Sequence, residues 1–259
     1  MIGRWHGRRI LGAAALALGS AASQAGGPLL AALVGPTVGP MVGPMVGPMV
    51  GTDEPQLPWH VMGLPQQTKP HTRFQVVSLD GQRVLRVDAH ASYGNLVHPL
   101  LESPAALRLR WRWRVDTPNL AADLHRKDGD YSPVKLCVLF DLPTSAVPFV
   151  ERQVLRIARL RSGELLPAAS VCYVWDAHLP PGTVLDNAFT RRIRMVVLRG
   201  PETPLHTWHS EQRDVVADFL RLFGDEVSAP VPLVGVAIAG DADNTQGHSV
   251  AHVGAVTLD

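Results

Sequence analysis

Hydrophobic and polar residues alternate with a period of two along much of the chain, which is the pattern of half-buried β-strands. The clearest case is residues 107–115, where one face carries Leu107, Leu109, Trp111, Trp113 and Val115. Positions 108, 110, 112 and 114 on the other face are all arginine. We therefore expect a strand that buries both tryptophans and exposes the four arginines. The arginine face either holds an anionic polymer or pairs with acids on the next strand.

Further strands and two short helices are predicted along the rest of the chain. Residues 74–79 and 82–89 flank Asp80-Gly81, a dipeptide that accepts the positive φ angles of a tight hairpin turn. Strands are also predicted at 134–140, 170–175, 193–198, 231–239 and 249–258. Helices are predicted at 151–160 and at 211–223, the second ending before Gly224. This arrangement favours a mainly β fold, a jelly-roll-like antiparallel β-sandwich with two short helices.

The N-terminus has the parts of an export signal. Arg4, Arg8 and Arg9 precede an apolar stretch at 10–22, and residues 23–25 end in the small-x-small pattern that signal peptidase accepts. The apolar stretch is too short to span a bilayer. We predict a signal peptide over residues 1–25 and a periplasmic or secreted mature protein with no transmembrane span. The Arg8-Arg9 pair leaves both the general secretory route and the twin-arginine route open.

Residues 26–55 are rich in glycine and proline, and residues 34–51 repeat Val-Gly-Pro-x. Proline at every fourth position prevents a helix and has no N–H to donate to a sheet. We predict a flexible tether that buries little, followed by the β-sandwich domain at 56–259. Without the three arginines of the signal, 21 basic and 23 acidic residues remain, a net charge of −2. No basic domain is left, which argues against a nucleic-acid partner.

Cys137 and Cys172 are the two cysteines of the chain, and each is followed four residues later by an aspartate. Export permits a disulfide. The bond forms if the two strands are neighbours in register, with Cα atoms within about 7 Å. Otherwise the sequence predicts two buried free thiols. No further ligands of suitable spacing accompany them, so a zinc site is not expected.

Two acidic loops form the candidate binding site. Asp241, Asp243, Asn244 and Thr245 bring four oxygen-bearing side chains into five residues between two predicted strands. Loops held by a rigid scaffold often carry binding chemistry. Their oxygens suit Ca²⁺, although the spacing is not that of an EF-hand, whose twelfth position would be His252. The alternative is a turn in which these side chains cap backbone N–H groups.

The second loop contains Lys127, Asp128 and Asp130. Its two carboxylates either bind a cation, act as an acid–base pair, or only shape a turn around Gly129. A sandwich gathers loops from several strands at each end, so the two acidic loops are able to form one site. Trp175 offers a stacking face for a sugar if it is exposed, and it belongs to the core if it is buried.

Several short motifs follow one another in a fixed order. They are Lys127-Asp128-Gly129-Asp130, Leu139-Phe140-Asp141, Tyr173-Val174-Trp175, Trp208, Glu211, Arg213-Asp214, Asp218-Phe219, Phe223-Gly224 and Asp241-Ala242-Asp243-Asn244-Thr245. In this order they resemble an uncharacterised bacterial family, the domains of unknown function numbered three-zero-four-seven, over about residues 58–259. The resemblance implies an exported sandwich of the galactose-binding kind, with no established activity. That family usually has a second acid after Asp130, where this chain has Tyr131.

The sequence therefore predicts an exported, monomeric, non-catalytic β-sandwich that binds a carbohydrate. The predicted ligand-binding residues are Lys127, Asp128, Asp130, Trp175, Asp241, Asp243, Asn244 and Thr245. Calcium is the one candidate cofactor. Two alternatives stay open: an enzyme that acts on a polysaccharide with two carboxylates as acid and base, and a structural protein of envelope assembly. The sequence has neither the Gly-x-Ser-x-Gly nor the His-Glu-x-x-His motif, so it supports neither a serine hydrolase nor a zinc protease.

Overall fold

A computed structural model describes residues 30, 33, 54–55, 57–64, 66–100, 107–162 and 166–259. The elements in these ranges are β1 (His60–Met62), β2 (Arg73–Leu79), β3 (Gln82–His90), β4 (Tyr93–Pro99), β5 (Arg108–Thr117), β6 (Lys135–Phe140), α1 (Phe149–Ser162), β7 (Ala169–Trp175), β8 (Val184–Asn187), β9 (Thr190–Arg199), β10 (His209–Asp214), α2 (Val215–Phe223), β11 (Leu233–Asp241) and β12 (His248–Leu258). The predicted signal peptide at 1–25 and the repeat at 34–51 lie outside the described residues, so both remain predictions.

The strands form two sheets that pack face to face. One sheet has seven strands in the order β1-β4-β11-β6-β7-β9-β8, and the other has five in the order β10-β5-β12-β3-β2. Paired strands are antiparallel except β7 and β9, which run parallel. The predicted mainly β, jelly-roll-like sandwich is confirmed, and the parallel pair is its one departure from an antiparallel arrangement among the named strands.

The centre of the core lies between β5 and β7. Trp111 and Trp113 are buried, as the alternation in β5 predicts. The Trp111 ring centroid lies 5.3 Å from that of Tyr173, and the Trp113 centroid lies 5.9 Å from that of Trp175. These aromatic contacts join the two sheets.

Two of the four arginines on the arginine face of β5 are paired with acids. Arg110 binds Asp259 at 2.5 Å, and Arg114 binds Asp80 at 3.0 Å and Asp116 at 2.6 Å. The side chain of Arg114 is only 13% exposed, so the predicted exposure is wrong for this residue. Arg112 donates to Gln82 and lies over the Trp208 ring, so three of the four guanidinium groups already have partners and the face is not a free ladder for an anionic polymer.

The predicted hairpin and the second helix show where local signals succeed and fail. The hairpin between β2 and β3 is confirmed, and Asp80 and Gly81 have positive φ angles of 52° and 73°.

The predicted helical start at residue 211 is wrong, because residues 209–214 form β10 and pair with β5. The helix starts at Val215 after Asp214, whose carboxylate accepts the N–H of Ala217 and caps it.

The N-terminal part of the predicted tether contributes to the core. Leu30 and Leu33 are each 3% exposed and belong to the main hydrophobic cluster together with Trp59. The expectation that residues 26–55 bury little is therefore wrong for these two leucines. Among the described residues, no helix is long and apolar enough to cross a membrane.

Candidate functional site

The seven-stranded sheet has an inner face toward the core and an outer face turned away from it. Alternation along β7 puts Tyr173 on the inner face and Cys172 on the outer face, with separate hydrophobic clusters on the two sides. Cys137 of β6 lies directly opposite Cys172, and the two are joined by a disulfide. Of the two alternatives that the sequence left open for the cysteines, the structure has the bridged one.

A pocket of about 400 Å³ opens on the outer face, above this disulfide. Its apolar floor includes the disulfide, Met195 and Ala239. Its polar lining is formed by Tyr93, Asn95, Asp130, Lys135, Asn187, Asp241, Asp243 and Asn244. The exposed ring of Phe189 also lines it. A pocket of this volume, with an apolar surface and a few convergent polar groups, has the character of a small-molecule site.

A buried ion pair joins the ends of β6 and β11 in this pocket. Lys135 Nζ lies 2.8 Å from Asp241 Oδ2, and the backbone N–H of Ser132 donates to Asp241 Oδ1 at 2.9 Å. Burial alone would lower the pKa of Lys135, but the carboxylates of Asp241 and Asp130 outweigh burial and raise it. Lys135 therefore stays charged. Both oxygens of Asp241 are occupied, so this aspartate holds the loop before β6 in place.

Asp130 contributes a buried oxygen without a hydrogen-bond partner to this pocket. Its residue is 7% exposed, and its Oδ2 accepts a hydrogen bond from the side-chain amide of Asn187. Its Oδ1 is buried and has no hydrogen-bond partner. A buried polar oxygen without a partner is destabilising by about 1–3 kcal/mol, more if charged. A ligand in the pocket that donates a hydrogen bond to Asp130 would remove this penalty.

The second acidic loop contributes two further residues to the same pocket. Asp243 and Asn244 line it alongside Asp130 and Asp241. Lys69 Nζ lies 3.1 Å from Asp243 Oδ2, and the side-chain amide of Asn244 donates to the carbonyl of residue 127 at 3.2 Å. The structure thus brings together the two acidic loops, although more than a hundred residues separate them in sequence.

The other predicted site residues do not line the pocket. Asp128 is exposed and binds Arg126 at 2.6 Å, and the hydrogen bond from Arg126 holds the pKa of Asp128 below its usual value. Thr245 Oγ1 accepts a hydrogen bond from Asn119 at 2.7 Å and stabilises its own turn. Trp175 is 2% exposed in the core. The prediction of Trp175 as a stacking face is wrong, because its position in β7 directs it to the inner face.

Lys127 lies at the rim of this site. Its Nζ is 5.6 Å from the ring centroid of Phe189, a residue of the turn between β8 and β9. Sequence reasoning missed Phe189 and Asn187, since the four-residue strand β8 and the turn after it have no clear period-two pattern. It also missed Lys135, although a lysine in an otherwise apolar predicted strand is a usable signal for a buried partner.

The acidic loops are the calcium site that the sequence predicts. In the described ranges, no group of three or more His, Cys, Asp or Glu side chains is arranged to hold a metal ion. The ammonium group of Lys135 also occupies the position beside Asp241 that a cation would take. The calcium prediction therefore gains no support from the arrangement of these side chains.

No curated protein matches the chain. Among solved structures it is similar to TmCBM61 in complex with β-1,4-galactotriose, with 11% identity, 78% of this chain and 88% of that chain covered, and a TM-score of 0.31. It is similar to the xyloglucanase domain of NopAA from Sinorhizobium fredii, with 9% identity, 78% and 97% coverage, and a TM-score of 0.38. It is also similar to Trichoderma harzianum endoglucanase 3 from family GH12, with 11% identity, 80% and 99% coverage, and a TM-score of 0.37.

Identities and TM-scores this low do not transfer a ligand or an activity to this chain. The family match is of a different kind, because it covers residues 57–257 and so nearly the whole folded domain. The family is described as a protein of unknown function. The chain belongs to the family DUF3047.

Proposed function

We propose that the outer-face pocket binds a saccharide unit and that the protein does so after export, without catalysing a reaction. The observation that carries the proposal is Asp130, a buried carboxylate on the pocket wall with one oxygen that has no partner. Burying a polar group is unfavourable unless a hydrogen bond compensates it. A ligand hydroxyl is the simplest donor for this oxygen, because the other oxygen of the same carboxylate already accepts the side-chain amide of Asn187.

The remaining surface of the pocket suits a sugar ring. Sugars present hydroxyl groups at the ring edge and C–H bonds on the ring faces. Asn95 and Asn187 supply amide donors and acceptors for hydroxyls. The Phe189 ring is 57% exposed, and the pocket floor contains Met195 and the disulfide. The aromatic ring and the floor therefore each offer apolar surface to the face of a sugar ring.

We favour binding over cleavage because two of the three carboxylates that line the pocket are paired with lysines. Glycosidases of the common mechanisms need two carboxyl groups that flank the scissile bond. Among the described residues that line this pocket, Asp241 uses both oxygens on Lys135 and Ser132, and Asp243 pairs with Lys69. Of these three carboxylates, Asp130 is the one with a buried oxygen that has no partner.

A glycan array followed by calorimetry on the best oligosaccharide tests the proposal. Asp130→Asn keeps the shape of the side chain and removes the charge. A hydrogen bond to a charged group contributes about 1.5–3 kcal/mol, so binding should weaken by about 10- to 100-fold. Asp128→Asn is the matched control, because Asp128 lies two residues away, outside the pocket. This control should bind as the parent does.

Three results would contradict the proposal. The first is an array on which the folded chain binds no glycan. The second is an equal loss of binding in the Asp130 and Asp128 variants. The third is release of reducing sugar that Asp130→Asn abolishes, which would support the enzyme alternative instead.

Export is tested separately. The arginines before the apolar stretch and the small-x-small pattern at 23–25 support cleavage after Ala25. Sequencing the N-terminus of the protein from a periplasmic extract should give Gly26 as the first residue. A cytoplasmic product that retains Met1 would contradict export.

A further inference from the structure

Helix α1 presents apolar side chains to solvent. Phe149, Val150, Val154, Ile157 and Leu160 are 50–77% exposed, and they are called the α1 apolar face below. At 3.6 residues per turn, these five positions fall within an arc of about 140°. Surface helices of globular proteins usually direct such a stripe toward the core. In α1 the opposite side of the helix packs on the domain, and Leu155 is its buried residue.

The helix carries several positive charges beside this face. Its sequence has four arginines and one glutamate. Arg152 and Arg159 turn back to donate to backbone carbonyls of the domain, and Glu151 pairs with Arg192. Arg156 and Arg161 are both exposed. At 100° per residue, Arg156 lies at one edge of the α1 apolar face, and Arg161 falls within its arc in the last turn of the helix. Neither makes an ion pair within the part of the chain that the structure describes.

We propose that α1 docks the protein on an anionic phospholipid surface. An interfacial helix of this kind buries its apolar face at the boundary between headgroups and acyl chains and places basic side chains among lipid phosphates. In α1, the α1 apolar face would enter the lipid boundary, and Arg156 and Arg161 would contact the lipid phosphates. With fourteen residues, α1 is about 21 Å long and is too short to span a bilayer, so it would lie in the plane of the surface.

Charge favours this occupant over a second copy of the chain. In a dimer packed through this face, Arg156 and Arg161 of both copies would lie in or beside one contact, and like charges at close range repel. An anionic lipid surface has the complementary charge, and each basic residue near such a surface contributes about 1 kcal/mol of attraction.

A second pocket, of about 490 Å³, continues the apolar surface beside α1. Val154, Leu155 and Ala158 of the helix form one wall, and Phe189 and Ile193 form another. Phe189 also lines the outer-face pocket. Docking through α1 would therefore hold the proposed saccharide pocket close to the lipid surface, although lipid docking does not depend on saccharide binding.

Flotation of the purified full chain with vesicles tests this inference. The vesicles contain phosphatidylcholine alone, or phosphatidylcholine with one-third phosphatidylglycerol. The chain should float with the anionic vesicles, and added salt should weaken the binding. Ile157→Asp should lower the partition coefficient at least about tenfold, because it puts a charge in the α1 apolar face.

Leu120→Asp is the matched control. Leu120 is 72% exposed, lies in the loop after β5, and is not among the residues that line the pocket beside α1. Both variants keep the apolar stretch at 10–22, so any lipid binding by that stretch is common to them and only their difference reports on α1. Arg156→Gln combined with Arg161→Gln should weaken binding to the anionic vesicles and leave binding to neutral vesicles unchanged. Circular dichroism checks that every variant is folded.

The inference is overturned if the parent chain does not float with anionic vesicles, or if Ile157→Asp and Leu120→Asp partition equally. It is also overturned if sedimentation without lipid shows a dimer that Ile157→Asp dissociates, since the face would then bind a second copy. If Asp130→Asn loses glycan binding but floats as the parent does, lipid docking through α1 is independent of the saccharide pocket.

Discussion

Replacing Trp113 with alanine tests the central packing of the sandwich. Trp113 has no exposed surface and lies in the middle of β5. Its ring centroid is 5.5 Å from that of Trp111 and 5.9 Å from that of Trp175, both in edge-on geometry. Its indole N–H donates to Glu211 Oε1 at 3.0 Å.

The expected destabilisation follows from these contacts. Removing a buried tryptophan costs about 3–5 kcal/mol of unfolding free energy through lost burial and the cavity that remains. The two edge-on aromatic pairs, each worth about 0.5–1.5 kcal/mol, put Trp113→Ala in the upper part of that range. The lost hydrogen bond adds little, because Glu211 keeps Arg199 at 2.6 Å. We expect a loss of about 4–5 kcal/mol.

Urea unfolding followed by far-UV circular dichroism measures this loss, since tryptophan fluorescence would change with the substitution itself. Trp208→Ala is the matched control, because Trp208 is only partly buried and has Arg112 over its ring at 4.6 Å. A cation–π contact near the surface contributes about 0.5–1 kcal/mol, so this variant should lose about 1 kcal/mol.

A loss below about 1 kcal/mol for Trp113→Ala would refute the placement of Trp113 in the core, because removing a fully buried tryptophan costs about 3–5 kcal/mol. Equal losses for the two tryptophan variants would also refute it. If Trp113→Ala does not fold, Trp113→Phe retains a ring in the cavity and should show a smaller loss of the same sign.

Other predictions concern the disulfide, acid stability and the N-terminal leucines. Replacing Cys137 and Cys172 with alanine opens a loop with a separation of 35 residues and should cost about 3–4 kcal/mol in a urea melt, and a loss near zero would contradict this. Burial raises the pKa of Asp218, but hydrogen bonds led by the one from Arg213 outweigh burial and lower it. The ionised Asp218 carboxylate should therefore stabilise the folded state above about pH 4, and this contribution should be lost as pH falls through the folded-state pKa. Asp218→Asn should then flatten the acid side of a plot of melting temperature against pH. Leu33→Ala should cost about 2–3 kcal/mol, whereas an unchanged melting temperature would show that the segment buries little.

The sequence alone predicted those strands and turns that have a clear local signal, such as a period-two apolar pattern or a turn dipeptide. The alternation at 107–115 identified β5 and its buried face, because successive side chains of a strand point to opposite sides. Asp80-Gly81 identified the first hairpin, since both residues adopt the positive φ angles that its turn requires. Strands β4, β8 and β10 were missed, because none of them has the strict apolar alternation of β5 and pairing with neighbouring strands holds them in place.

The sequence also identified both acidic loops and the family. It did not show which loop residues line the pocket and which only stabilise the loops. Asp128 and Asp130 look equivalent in sequence, yet one pairs with Arg126 in solvent and the other is buried on a pocket wall. The difference arises because Asp130 leads into β6 and packs beside the turn at Asn187, a contact across 57 residues.

Tertiary structure alone decided which residues share the candidate site. Strand β11 pairs with both β4 and β6, and this pairing brings Asp241 next to Lys135 across 106 residues. The register of β6 against β7 joined the two cysteines, and the same pairing directed Trp175 to the core. Sequence patterns fix which face of a strand is apolar, whereas the partners of each strand are set by packing between distant segments. The composition of the pocket therefore had to be obtained from the fold.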